Sequence, residues 1–383
     1  MRDTAIIGIG QTPVGEHWES SLRMLAGEAA SAALADAGIK TVDAIYVGNA
    51  YSATFSSQSQ LGALIADYVG LSGVEAFTIE AGEASGGAAL RAGFLAVASG
   101  AVETALVLGV EKATDTVASA HVSARSVSLD ADYEAVHGLT LTAAAAMLMR
   151  RYMHEYGVDL SVFEPFSLNA HANGSKSPNA MYRNLLKPGA FGKAPMISDP
   201  VSLFDSAPDA DGAAAVIITA AGRAGDLVPQ PVRIAASAAA TDTLALHERV
   251  DPLYFKAAAL SIEKAWQQSG LTPGDIDLFE AHDGYTIQTV LTLEAAGFAQ
   301  RGQGWKVAED GGISLTGHLP MSTFGGLKSR GNPIGATGVY QACEAVAQLR
   351  GQAGANQVPD ARVALIHNQG GLASTAITHI LTI

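Results

Sequence analysis

Hydrophobic positions along the chain fall into short β-branched runs separated by longer Ala-rich stretches. Thr4–Gly8, Asp43–Val47, Glu75–Glu80 and Ala105–Gly109 are such runs, bounded by turn residues, and they predict strands. Leu22–Ala37 keeps a helical spacing and stops at Gly38, a residue suited to the left-handed position that ends a helix. Ser85–Ala98 predicts a further helix entered through Gly82. Strands alternating with helices predict an α/β layered fold.

The rhythm breaks between about Lys112 and Ala210. This stretch predicts one helix around Thr142–Tyr156, then a polar, irregular run through Ser175–Lys193. Irregular segments of such length commonly cover a functional site. Ala213–Thr219 returns to a buried strand, and the first pattern then recurs. Pro231–Ala235 repeats the first strand, and Ala257–Ser269 with Gly270 repeats the first helix and its stop. Ile276–Glu280 repeats the second strand, Gly331–Leu349 the Gly-started helix, and Val363–Ile366 and Ala376–Ile380 supply the last strands. In this repeat Glu83-Ala84-Ser85-Gly86 falls on Asn332-Pro333-Ile334-Gly335. We therefore expect two homologous halves, residues 1–225 and 226–383, with a loop domain at about 112–210 inserted in the first. The two Gly-started helices are expected at the buried centre.

Composition narrows the functional classes. The net charge of −14 counts against general binding of nucleic acid or anionic membrane, both of which repel an acidic chain. The single cysteine, Cys343, cannot form an intramolecular disulfide, which fits a reducing compartment. The N-terminus runs straight into a strand without a signal-peptide core, and no apolar stretch nears the ~20 residues of a membrane helix. A cytoplasmic protein is expected. His282, His318 and His367 lack a metal-ligand spacing, so no metal is expected. Gly8-Ile9-Gly10 lacks the third glycine of a dinucleotide-binding fingerprint.

Eight segments then carry a family resemblance. They are Ile7–Pro13, Glu80–Arg91, Asp199–Pro208, Asp211–Ala215, Glu280-Ala281-His282-Asp283, Gly325–Lys328, Gly331–Gly338 and His367-Asn368-Gln369-Gly370-Gly371. Together, and in this order, they resemble the thiolase superfamily, in particular the sterol-carrier-protein-type and archaeal-type thiolases. The resemblance implies a thiolase fold, five layers αβαβα, in a homodimer. It implies an acyl-CoA lying against the loop domain as substrate, acyltransferase chemistry in lipid metabolism, and no tightly bound cofactor. It also implies a small zinc-ribbon/OB-fold partner protein.

By the same resemblance the family's nucleophilic cysteine falls on Glu83, and the histidine of its Gly-His-Pro signature on Asn332. A carboxylate is a poor acyl acceptor, and an amide takes no proton at neutral pH. Asn368 stands where many thiolases carry a second cysteine, and Cys343 is expected in the core. His282 matches the histidine that polarises the substrate carbonyl, while the backbone N–H groups of Glu83 and Gly370 are expected to hold an oxyanion. Asp283 either orients His282 or caps the following helix. A helix start favours a charge on Glu83 and burial disfavours it, so Glu83 is a candidate acid or base. Tyr285 and Tyr340 are candidates for aldol chemistry, and His318 for the pocket wall. The expectation is a thiolase-like acyl-CoA enzyme acting on the C–C bond next to the thioester, with ordinary thiolysis disfavoured by Glu83 and Asn332. A β-hydroxyacyl-CoA retro-aldolase and a non-catalytic acyl-CoA-binding scaffold subunit are the alternatives.

Overall fold

A computed structural model describes the backbone of all 383 residues and every side chain except that of Ala118. The first half runs β1 (Thr4–Gln11), α1 (Leu22–Asp36), β2 (Ala44–Gly48), α2 (Ser52–Phe55), α3 (Leu61–Tyr68), β3 (Glu75–Ile79), α4 (Ser85–Ser99) and β4 (Thr104–Glu111). The insertion carries α5 (Ala118–Ser126), α6 (Leu141–Tyr156), α7 (Glu164–Gly174) and a hairpin of β5 (Met196–Ser198) with β6 (Val201–Ser202). β7 (Gly212–Ala220) and α8 (Ala221–Leu227) close that half, and the expected 225/226 division lies within α8. The second half holds β8 (Val232–Thr241), α9 (Lys256–Ser269), β9 (Leu278–Glu280), α10 (Thr286–Ala295), α11 (Gly326–Ser329), α12 (Thr337–Leu349), β10 (Val363–Gly370) and β11 (Thr375–Thr382).

The large sheet has the order β3-β2-β4-β7-β1-β8-β11-β10-β9. This order is a mirror about the β1–β8 seam, which makes the duplication visible in three dimensions. β1 pairs antiparallel with β7, as β8 does with β11. β2 and β4 pair in parallel, as do β9 and β10. Even the edge strand β3 has a remnant counterpart, a single parallel bridge from Phe279 to Met321. At the seam only Ala5 with Arg233 and Ile6 with Val232 are paired, so the two half-sheets are joined at one end. α1 packs on the outside of β1, β7 and β4, and α9 on the outside of β8 and β11. α4 and α12 lie between the half-sheets and touch strands of both. The result is the expected five-layer arrangement.

The two central helices approach through glycine. A Cβ on Gly86 would come within 2.9 Å of Gly335 O, and one on Gly338 within 2.2 Å of Gly87 N and 2.4 Å of Asn368 Oδ1. Both lie below any tolerated carbon contact, so backbone would have to move. Gly338→Ala is therefore expected to lower stability by about 1–3 kcal/mol in a denaturant titration, the usual cost of overpacking a core. The contact with Asn368 predicts an accompanying loss at the site described below.

The second central helix starts later than the hydrophobic pattern predicts. Gly331–Pro333 are non-helical, Ile334–Ala336 form one 3₁₀ turn, and α12 begins at Thr337. Pro333 lacks the N–H a continuous helix would use, and Ile334 sits at φ 43°, outside the helical region. The expected stops do hold: Gly38 and Gly270 follow their helices at φ 66° and 72°. Glu111, at the end of β4, fastens this start to the first half. Its carboxylate accepts from Asn49 Nδ2 and from the N–H groups of Ala50, Tyr51 and Gly335, at 2.9–3.2 Å. Burial pushes its carboxyl up to about 7, against the pull of these donors.

Candidate functional site

The turns that open the two central helices, the β9–α10 loop and the end of β10 meet at one cleft. Glu83, Arg125, Leu141, Ala207, His282, Gly284, Tyr285, Gln288, Asn332 and Gly371 line it. The room left for the centre of a water molecule is ≈ 10 Å³, enough for roughly one water. Glu83, His282 with Tyr285, and Asn332 are thus brought together from three places in the sequence. Gly370 sits one residue behind the wall, pressed on the Ala81–Gly82 turn. A Cβ on it would lie 2.3 Å from Ala81 O.

Asn368 fixes the chemistry of His282. Its Oδ1 accepts from the Gly87 N–H at 3.1 Å, and a backbone N–H can only donate. Nδ2 therefore faces the other way, donating to Glu83 O at 3.2 Å and to His282 Nδ1 at 3.1 Å. An imidazole that accepts at Nδ1 carries its proton at Nε2. Burial, with help from the nearby charges of His367, Arg125 and Arg330, pushes the imidazolium down to about 3. His282 is consequently a neutral hydrogen-bond donor, suited to a developing oxyanion.

The Glu83 carboxylate is buried and doubly held. One oxygen pairs with Arg125 Nη2, and the other accepts the Gly371 N–H at 2.9 Å. The N–H the carboxylate occupies is that of Gly371, next in the chain to the Gly370 N–H expected to hold an oxyanion. Arg125 also pairs through Nη1 with Asp209, whose other oxygen accepts from His121 Nε2 at 2.7 Å. Burial opposes the Asp209 charge, but Arg125 and the His121 hydrogen bond outweigh it and hold the carboxyl below its usual range. Asn332 donates Nδ2 to Asp209 at 3.2 Å, and its Oδ1 accepts from the Ile334 N–H and the Thr337 hydroxyl. Its Oδ1 and one of its two Nδ2 hydrogens are thereby held by this scaffold.

Other expected roles are corrected. Asp283 neither orients His282 nor caps the following helix α10, which Tyr285 and Gln288 close; its Oδ1 accepts the Leu327 N–H in α11 at 2.7 Å. Tyr340 is a buried residue in the first turn of α12 whose hydroxyl donates to Thr12 O at 2.9 Å, and it does not line the cleft. His318 is exposed and packs on Gly312 rather than on the cleft. Tyr285 does line the cleft, with its hydroxyl bonded to Thr142 Oγ1 at 2.8 Å and its ionisation pushed up to about 12 by burial. Cys343 lies between Gly10 O and Ala215 O, and burial pushes its thiol up to about 12. Arg125, Asp209 and His121 went unread in the sequence. The one signal was the i, i+4 spacing of His121 and Arg125, which puts both on one face of a helix.

The thiolase N-terminal domain family matches residues 4–188, and the thiolase C-terminal domain-like family matches residues 238–383. An acetyl-CoA acetyltransferase of Methanothermobacter thermautotrophicus is 41% identical over 384 residues, covering 100% of both chains. An acetyl-CoA acetyltransferase of Methanocaldococcus jannaschii is 38% identical over 394 residues, covering 100% of this chain and 99% of its own. Among solved structures, an Ltp2-ChsH2(DUF35) aldolase superposes with a TM-score of 0.87 at 26% identity, covering 99% of this chain and 97% of its own.

Proposed function

This chain belongs to the thiolase family, and on that premise we propose that it cleaves or forms the C–C bond next to a CoA thioester by an aldol route, without an acyl-enzyme. One observation carries the reading: a carboxylate and a neutral imidazole donor face one closed cleft, while the chain's single thiol is buried in the core of α12. Glu83 stands in the family's nucleophile position and serves as the base. It takes the proton of a substrate β-hydroxyl, the Cα–Cβ bond breaks, and a carbonyl compound departs. The electron pair moves into the thioester, whose oxygen is held by His282 Nε2–H as an enolate. The proton on Glu83 then returns to Cα, leaving an acyl-CoA shortened by the departed carbonyl fragment.

A path for the CoA arm supports this. A cavity of about 450 Å³ beside the cleft is lined by His171, Leu185, Ile197, Phe204 and Lys328 among others. Ala207 lines both spaces, which sets the cavity directly beside the cleft. Residues 165–198 around the cavity carry Lys176, Arg183, Lys187 and Lys193 and no acid, in a chain of charge −14. Such a rim suits the phosphates of CoA. The aldolase of similar structure is named with a DUF35 protein, which supports a small zinc-ribbon/OB-fold partner here.

We further propose a cytoplasmic homodimer; among the described residues no helix is long and apolar enough to cross a membrane. β3 is an edge strand with Phe77 half-exposed, and such an edge is open to pairing with a second copy. Phe77→Glu is expected to halve the mass measured by light scattering; an unchanged mass places the contact elsewhere.

The function is tested by offering the chain, alone and with its OB-fold partner, a series of β-hydroxyacyl-CoA thioesters. A shorter acyl-CoA and an aldehyde or ketone are expected in equal amounts. Tight acyl-CoA binding with neither product favours the scaffold reading instead, for which the narrowness of the cleft is the supporting observation.

A further inference from the structure

We infer that Arg125 is a positioning residue: clamped by Asp209, it holds the Glu83 carboxylate against the Gly371 N–H, on the cleft wall that also presents His282. The catalytic consequence rests on the aldol reading above; the pairing itself does not.

α5 is built the wrong way round for a helix held by apolar packing. Val117, just before it, Val122 within it and Val127, just after it, are exposed, at 72%, 49% and 59%. Its inward face instead offers His121, Ala124 and Arg125. The helix is therefore docked through polar contacts aimed at the cleft. His121 stacks on Phe55 with centroids 4.9 Å apart and donates to Asp209. Asp209 is tied in turn to Asn332, at the start of the second central helix. Each brace ends at the Arg125 guanidinium, which reaches Glu83. Arg125 Nε is buried without an acceptor.

The ionisable groups around Glu83 are Tyr51 before α2, Arg125 and His121 on α5, Asp209 before β7, and His282 and Tyr285 before α10. Of these Arg125 carries the one fixed positive charge. Without it a buried carboxylate would face Asp209 with no cation between them, and protonation would become the cheaper state.

The test compares Arg125→Gln, Glu83→Gln, the double variant and Arg125→Lys in the full chain. In ligand-free protein, Arg125→Gln is expected to lower the unfolding midpoint, and adding Glu83→Gln to recover most of that loss. In turnover, the acid limb of kcat/KM for Arg125→Gln is expected to move up by about one to three pH units, the range an adjacent opposite charge commands. Arg125→Lys is expected to move it back. Losses that simply add in the double variant, or a pH profile of Arg125→Gln that overlays the parent, would overturn the assignment. If the parent chain turns over no β-hydroxyacyl-CoA, the aldol reading fails, and the unfolding cycle alone still decides whether Arg125 holds Glu83.

Discussion

Glu83→Gln is expected to cut turnover of a β-hydroxyacyl-CoA by about 10²–10⁴-fold, the span that a positioned general base supplies. The substitution keeps the shape of the side chain and an oxygen for the Gly371 N–H. It leaves Arg125 neutralised by Asp209, so the wall of the cleft survives. The cavity proposed for the CoA arm, around Phe204 and Lys328, is lined by other residues. Acyl-CoA affinity, read by calorimetry, should therefore stay within a few-fold of the parent while kcat falls. A kcat unchanged by Glu83→Gln would move the base elsewhere, and Tyr285 is then the next residue to test.

His282→Ala is the second large effect. Removing a donor aimed at a developing oxyanion costs about 10²–10³-fold in kcat. The sign of its pH behaviour follows from the Asn368 contact and from burial. With the imidazolium pushed down to about 3, His282 is neutral throughout pH 5–8 and donates through Nε2 over that whole range. The parent rate should accordingly have no limb near pH 6.5 arising from this residue. A limb at that pH in the parent, lost in His282→Ala, would mean that the imidazole acts as an acid or base instead.

Much of this arrangement was legible in the chain, for physical reasons. The duplication could be read because each half repeats the same buried strands and the same Gly-opened central helix. Gly86 and Gly338 must be glycine for those helices to meet. That alignment is what set Glu83 against Asn332, and the structure does place both on the cleft wall. The Arg125–Asp209–His121 braces were not legible. They arise in or beside an irregular insertion, 42 and 126 positions from Glu83 for Arg125 and Asp209, with no periodicity to relate them. A charged residue in such a segment reads as a solvated one until the fold buries it. Asn368 was read for the thiol it lacks rather than for the amide it supplies, and only its bond to Gly87 N–H reveals how it sets the proton on His282. Tyr340 misled for the opposite reason. Its helix position resembles a site, but α12 turns it towards Thr12 and over Arg330, 5.1 Å from the ring centroid.

The central claim is that chemistry at this cleft proceeds without an acyl-enzyme. Its most direct test is intact-mass analysis of the protein during incubation with acetoacetyl-CoA, with and without free CoA, while acetyl-CoA is followed in parallel. The account predicts an unmodified protein mass and no CoA-dependent acetyl-CoA formation. A mass increase of one acetyl group together with CoA-dependent cleavage of acetoacetyl-CoA would contradict it.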